Sequence, residues 1–451
     1  MTTENRPAPR RILGPLQAST VVVGMVVGAG IFRSASGVAQ MLGSGPALLV
    51  AWAIGGLFAL AGAMTYAELA SSFPHQGGDY RFLKEAFGAD AAYLFAWSRF
   101  SVIFTASGAL LAFVAADYLA EITPLTELGK SGVAALAIIV LTLVNLRGLK
   151  FGAGGQFLLV ALDILALLSL GGAAVWLIHQ GTPPLTSMMG APGVKVGGFG
   201  AGMVFIMLAY GGFNDSATLS SEVKGPKDMT FAMVGGMSVV TLLYLLANWA
   251  YLRGLGVEGL AKSDAPAADL MRLAFGPVGQ TVMVVFVCSA ALAVLNALVI
   301  VGGRTLYAAS SDEPSLQRLA DWDLSRGVPR TAILAQTVVS LLLVGWGAVT
   351  KRGFAAMVDY LSPVFWLFLT LTGVALIWLR RTRPDVERPY RTPFYPLTPA
   401  LFALGSATVF VSSVLYVGWV GCALSFGMLA FGLIVRAVLR RLVKPPQQVN
   451  P

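Results

Sequence analysis

Two short glycine runs interrupt stretches of this chain that are otherwise apolar enough to cross a bilayer. The first is Gly28-Ala29-Gly30, inside the segment Thr20–Phe32. Glycine costs about 1 kcal/mol against alanine in a helix interior, so a helix is weakest here. In lipid an unwound stretch survives only where it is buried in protein or lines a cavity. A helix broken there frees N–H groups on one half and C=O groups on the other, and freed N–H groups at a helix start form an anion site. A second reading stays open at this point: small residues also let a neighbouring membrane helix pack closely.

The second run is Gly211-Gly212, in the segment Met203–Lys224. After it come Asn214, Asp215, Ser216, Thr218, Ser220, Ser221 and Glu222, an unusually polar half for a spanning segment. Paired interruptions in corresponding segments of two inverted halves point to the central site of a transporter. The pairing favours the functional reading of both glycine runs.

These runs must be positioned by a membrane protein. Of 451 residues, 56% are hydrophobic and 12% charged, about half the charge of a soluble domain. Apolar runs of spanning length, about 20 residues each, occur in twelve places between residues 15 and 443. Most of the 31 Lys and Arg residues fall on the loops that are cytoplasmic if both termini are cytoplasmic. The net charge of +9 therefore belongs to membrane-flanking loops and not to a nucleic-acid surface. No cleavable signal peptide is expected, because the first apolar segment is long and lacks a small-residue cleavage site. Cys288 and Cys422 lie in apolar runs and read as small buried hydrophobes; with only His75 and His179 besides, no metal cluster is expected. Residues 255–276 are amphipathic and read as short helices capping the outer entrance.

Several motifs, in order along residues 15–330, resemble the amino acid–polyamine–organocation superfamily. Gly28-Ala-Gly-Ile-Phe32 is similar to its first-helix signature. Tyr66-Ala-Glu-Leu69 with Phe73–Tyr80 resembles its second-helix exit and first loop. Tyr210-Gly-Gly-Phe-Asn214 with Glu222–Lys227 resembles the sixth helix of its L-type amino acid transporter branch, and Arg304–Asp312 the end of the eighth. The resemblance implies an all-α membrane fold of twelve helices, a leucine-transporter-like (LeuT-like) 5+5 inverted repeat with broken helices 1 and 6. Residues 15–179 would form the first repeat, 198–379 the second and 397–443 two accessory helices. Residues 1–14 and 444–451 would be cytoplasmic tails. It also implies a multi-pass protein of the plasma or bacterial inner membrane.

An amino acid carries a carboxylate and an ammonium on one carbon. The carboxylate suits the N–H groups at Gly28, Ala29, Gly30 and Ile31. The ammonium suits carbonyls freed at the breaks, assigned to Val26, Leu208, Ala209 and Gly211. Ser101, Phe104, Phe213, Asp215 and Trp366 are the candidates for the side-chain pocket. L-type relatives usually carry an aromatic gate at the position of Leu208; this chain departs there, so either Tyr210 or Phe213 gates or the gate is weaker, with Trp366 as a further gate candidate.

Two ionisable residues lie deep in the membrane, Arg99 and Asp163. Such residues cost about 2.5–3.5 kcal/mol at a helix centre on insertion scales and point to function by default. Asp163 matches a position where many relatives carry a lysine, so the sign is reversed here. It either pairs with Arg99, takes up a proton or binds a cation. Glu68 reads as structural, contacting a cytoplasmic loop. The sequence thus predicts a secondary transporter of neutral L-amino acids, sodium-independent, working by exchange or proton coupling. The alternative is a cationic amino acid or polyamine transporter, whose pocket should hold more acids. No enzyme activity, cofactor, nucleic acid or obligate protein partner is expected; the partners are the amino acid and membrane lipid.

Overall fold

The structure, a computed structural model, describes residues 13–28, 30–75, 77–148, 153–190, 197–312, 320–323 and 325–442. Ala29 and the tail 444–451 therefore lie outside the described residues. In chain order the helices are α1 (Pro15–Val26), α2 (Gly30–Leu42), α3 (Gly45–Ser72), α4 (Asp79–Phe87), α5 (Ala89–Ser98), α6 (Phe104–Ala120) and α7 (Glu127–Leu146). Then come α8 (Ala153–His179), α9 (Gly198–Tyr210), α10 (Pro226–Lys262), α11 (Pro266–Asp312), α12 (Arg330–Thr350), α13 (Gly353–Thr382) and α14 (Leu397–Leu442). A π-helical turn, Arg99–Ile103, joins α5 to α6, and a 3-10 helix, Asp215–Ser221, lies beyond α9. Among the described residues there is no β-strand, only three isolated bridges.

The starts obey local rules. Proline opens α1 and α10, where its fixed φ suits the first turn and its missing N–H costs nothing. Gly14 N–H is held by the Gln17 side chain at 3.1 Å, and Thr126 caps α7 by accepting from Gly129 N–H at 3.1 Å.

Among the described residues nine helices are long and apolar enough to cross a membrane, or ten if α1 and α2 form one span bent by 46°. Two differences from the expected twelve have physical reasons. At the sixth expected span α9 stops after 13 residues, at the glycine pair, and a 3-10 helix replaces its second half. The last two expected spans both lie within α14: Gly418, at φ +74° and ψ −178°, is non-helical and kinks its 46 residues into two helices with no loop between them, so they count as one. Residues 255–276 form the expected short cap helices: α10 turns at Gly256, and α11 changes direction at Gly276-Pro277.

The helices form two compact units. The first holds Met1–Gly88, Gly152–Ala290 and Trp366–Ser412; the second holds Ala89–Phe151, Ala291–Phe365 and Ser413–Pro451. Both expected repeats contribute to each unit. Polar pairs link the helices of the second unit: Asn145 to Asn296 at 2.7 Å, Thr142 to Thr337 at 2.8 Å, and the Ser340 hydroxyl to the Thr105 carbonyl at 3.4 Å. In the first unit the fully buried Glu68 accepts from Arg380 Nε and the Thr392 N–H, both at 2.7 Å. Arg388 lies 3.5 Å from the same carboxylate. The stretch between α13 and α14 is thus fastened to the end of α3, in the structural role read for Glu68.

Candidate functional site

Both breaks lie in the first unit, and they touch. α1 ends at Val26, and the chain turns at once: Gly28 N–H donates back to the Val26 carbonyl at 2.9 Å. α2 begins at Gly30. The first four N–H groups of any helix lack an intrahelical acceptor, so α2 presents those of Gly30, Ile31, Phe32 and Arg33. Of the expected donors, Gly28 N–H is engaged, Gly30 and Ile31 stand at the helix start, and Ala29 lies outside the described residues. α9 ends at Tyr210. Gly211 is extended, and its N–H returns to the Leu208 carbonyl at 3.1 Å.

Gly212 carries the contact between the breaks. Its φ is +105°, and a Cβ added there would lie 2.2 Å from the Met25 carbonyl oxygen. Only glycine lets the second break lie flat on the peptide of the first. Past it, Asn214 Oδ1 accepts from Gly212 N–H at 3.2 Å, and the Gly212 carbonyl accepts from Asp215 N–H at 3.0 Å. The 3-10 helix then places Ser216 Oγ 3.5 Å from Met25 Sδ. Below the breaks, Leu13 pairs with the chain after the 3-10 helix: Leu13 N–H donates to the Glu222 carbonyl and Lys224 N–H to the Leu13 carbonyl, both at 3.0 Å.

A second tie comes from Tyr244 on α10. Its hydroxyl lies 2.9 Å from the Val26 carbonyl and 3.0 Å from the Ala209 carbonyl. One hydroxyl is shared between two of the carbonyls assigned to an ammonium. Among the described residues the Gly211 carbonyl has no donor, which leaves it the most available of the set. Sequence reasoning missed Tyr244. Tyr244, Asn248 and Tyr251 recur at helical spacing on one face of an apolar span, and that was the available signal.

The gate candidates are packed. The Tyr210 hydroxyl donates to the Trp52 carbonyl at 3.2 Å, and its ring lies 5.0 Å from that of Tyr244. Phe213 is 1% exposed, edge-on to Tyr66 with centroids 5.5 Å apart and against Phe402 at 6.2 Å. Trp366 is fully buried. These three rings stand as core residues of the first unit in this conformation. Asp215 accepts from Asn214 Nδ2 at 3.3 Å.

Asp163, on α8, is 6% exposed. It makes no hydrogen bond or ion pair among the described residues, and it lies within electrostatic reach of Tyr244. Ser101, Phe104 and Arg99 belong to the second unit. Ser101 sits in the π turn, donating to the Trp97 carbonyl at 2.8 Å while its own carbonyl accepts from the Tyr360 hydroxyl at 3.1 Å. A π turn in mid-membrane shifts the helix register and is often found at functional sites. The Arg99 guanidinium lies over the Phe104 ring at 4.1 Å and the Phe95 ring at 5.3 Å, a cation–π arrangement that softens its burial.

Known proteins resemble this chain over most of its length. The profile of the amino acid permease family matches residues 13–438. The chain is 29% identical to the b(0,+)-type amino acid transporter 1 of Mus musculus over 402 residues, 87% of this chain and 81% of the relative. It is 27% identical to the cystine/glutamate transporter of Homo sapiens over 394 residues, 86% of this chain and 77% of that one. It is also 27% identical to the large neutral amino acids transporter small subunit 2 of Homo sapiens, over 90% of this chain and 76% of the relative.

Proposed function

Since the chain belongs to the amino acid permease family, we propose that it is a secondary active transporter of neutral L-amino acids. With this goes the twelve-span LeuT-like repeat, both termini cytoplasmic, in a plasma or bacterial inner membrane. The observation that carries the proposal is the contact of the two breaks: Gly212 on the Met25 carbonyl and Tyr244 across Val26 and Ala209. The substrate carboxylate binds at the start of α2, on the N–H groups of Gly30 and Ile31, where the helix dipole favours an anion. Its ammonium binds the Gly211 carbonyl and takes Ala209, Val26 or Leu208 in exchange for their present donors. An ammonium has three protons to give, so it replaces the single shared proton of Tyr244 with a better match. Asp215 lies beside the break and lines the pocket. Trp366 and Phe213 then shape the substrate range after rearrangement.

The mode is sodium-independent exchange or proton coupling. Asp163 is the coupling residue.

Uptake of a labelled amino acid panel into proteoliposomes, with and without sodium and a pH gradient, tests the function. Neutral amino acids should accumulate without sodium. Competition by lysine or putrescine, but not by alanine, serine or leucine, would replace this reading with the cationic one, for which Asp215 and Asp163 would be the recognising acids. One relative is named a small subunit, so the expectation of no protein partner has no support from the relatives. Transport by the purified single chain decides that point.

A further inference from the structure

α2, the helix whose start would hold the carboxylate, is fastened to the cap formed by residues 255–276. Arg33, Ser36 and Gln40 succeed one another by three and four residues, so they share one face of α2. All three reach the turn that ends α10. The Ser36 hydroxyl donates to the Ser263 carbonyl at 2.7 Å in a buried setting. Gln40 Nε2 donates to the Ala261 carbonyl at 2.7 Å. Arg33 pairs with Asp264 at 2.6 Å and reaches the Ser263 carbonyl at 3.4 Å.

The turn that joins the far end of α2 to α3 is held as well. Gly45 N–H donates to the Met189 carbonyl at 3.2 Å, and Ser44 bridges Gly190. That 182–190 strap is itself paired with the cap's root: Leu185 N–H to the Gly254 carbonyl at 2.9 Å, and Val257 N–H to the Ser187 carbonyl at 3.0 Å. A helix of 13 residues, about 20 Å long at 1.5 Å per residue, thus has polar anchors along its length, on the cap and the strap.

We propose that Arg33, Ser36 and Gln40 are positioning residues for substrate recognition: through the 261–264 turn they fix where the start of α2 presents its N–H groups to the carboxylate. The inference rests on the proposed carboxylate site. It assigns the cap a part in binding, although no cap residue touches substrate. Ser36 makes the buried link and should matter most. The Arg33–Asp264 pair is more exposed, with Asp264 at 57%, and exposed pairs contribute little.

A positional role differs from a merely structural one in what it spoils. Loosened α2 should lose discrimination by the carboxylate, whereas a destabilised protein only loses active molecules. The probe is alanine against alaninamide, which keeps the ammonium and side chain but lacks the carboxylate. Each competes with uptake of a labelled neutral amino acid into proteoliposomes of the full chain. In the wild type alanine should win by a wide margin. In Ser36→Ala the ratio of the two inhibition constants should fall about threefold to tenfold, the scale of one net hydrogen bond. Arg33→Gln should lower it less. Arg33→Lys, and the reversed pair Arg33→Asp with Asp264→Arg, should recover most of the Arg33 loss. If Ser36→Ala and Arg33→Gln keep the wild-type ratio at whatever rate they transport, the positioning role is overturned while the carboxylate site stands. If the wild type itself does not distinguish alanine from alaninamide, the carboxylate site fails, and the inference with it.

Discussion

At the first break a Cβ on Gly30 would meet only the Ala209 Cα, at 3.8 Å, an ordinary contact. At the second a Cβ on Gly212 would lie 2.2 Å from the Met25 carbonyl, on a backbone at φ +105°. The two runs look alike as sequence, yet Gly212 demands glycine where Gly30 does not. The chain also leaves the two breaks differently. Beyond the first it resumes an α-helix at Gly30. Beyond the second it tightens to a 3-10 helix rich in hydroxyls, Asp215–Ser221, and Thr218 Oγ turns back to the Asp215 carbonyl at 2.7 Å. The first break therefore offers an ordered row of N–H donors, and the second offers carbonyls at the end of α9. That asymmetry suits a zwitterion, whose two charges need opposite partners.

The contrast between the breaks is sharpest at Gly212. Gly212→Ala should lower transport by on the order of 100-fold or more, since backbone strain alone costs about 1–3 kcal/mol and the Met25 clash adds to it. Initial uptake rates per folded molecule measure this. Tyr244→Phe should come next. It removes one hydroxyl shared by both breaks, with a change in substrate affinity of roughly 2- to 13-fold, from a net 0.5–1.5 kcal/mol per hydrogen bond; competition binding reads it. If the hydroxyl yields its carbonyls to the ammonium, affinity rises; if it holds them in place, affinity falls. Gly30→Ala should be mild, within about threefold of wild type at an ordinary van der Waals contact. Gly30→Leu, reaching further toward α9, should fail in the same uptake assay.

Asp163→Asn probes the buried acid of α8. Uptake measured from pH 5 to 8 should vary with pH in the wild type, and the variant should flatten that profile while retaining exchange. An unchanged profile would leave Asp163 a static charge.

Much of this was legible in the sequence. The glycine runs mark both breaks because a helix is weakest there, and the polar run 214–222 marks the unusual half of the sixth span. Residues 255–276 read as a cap because their pattern is local. What was not legible depends on contacts far apart in the chain. Arg33 and Asp264 are separated by 231 residues, and nothing in either neighbourhood names the other. Tyr244 reads as one more aromatic in an apolar span until its hydroxyl is seen between Val26 and Ala209. Tyr210 and Phe213 look like gates by position, but packing against Trp52, Tyr66 and Phe402 makes them core residues here. The count of spans differed where two helices meet at Gly418 with no loop between them, and the expected boundary lies beside that kink.

Whether the two breaks form one amino acid site is tested most directly by equilibrium binding. Purified wild type and Gly212→Ala, matched for thermal unfolding, would each be titrated with a labelled neutral amino acid. Binding to the wild type should be saturable, displaced by alanine and not by putrescine, and Gly212→Ala should show none. Equal binding by both proteins would contradict a site built from the two breaks.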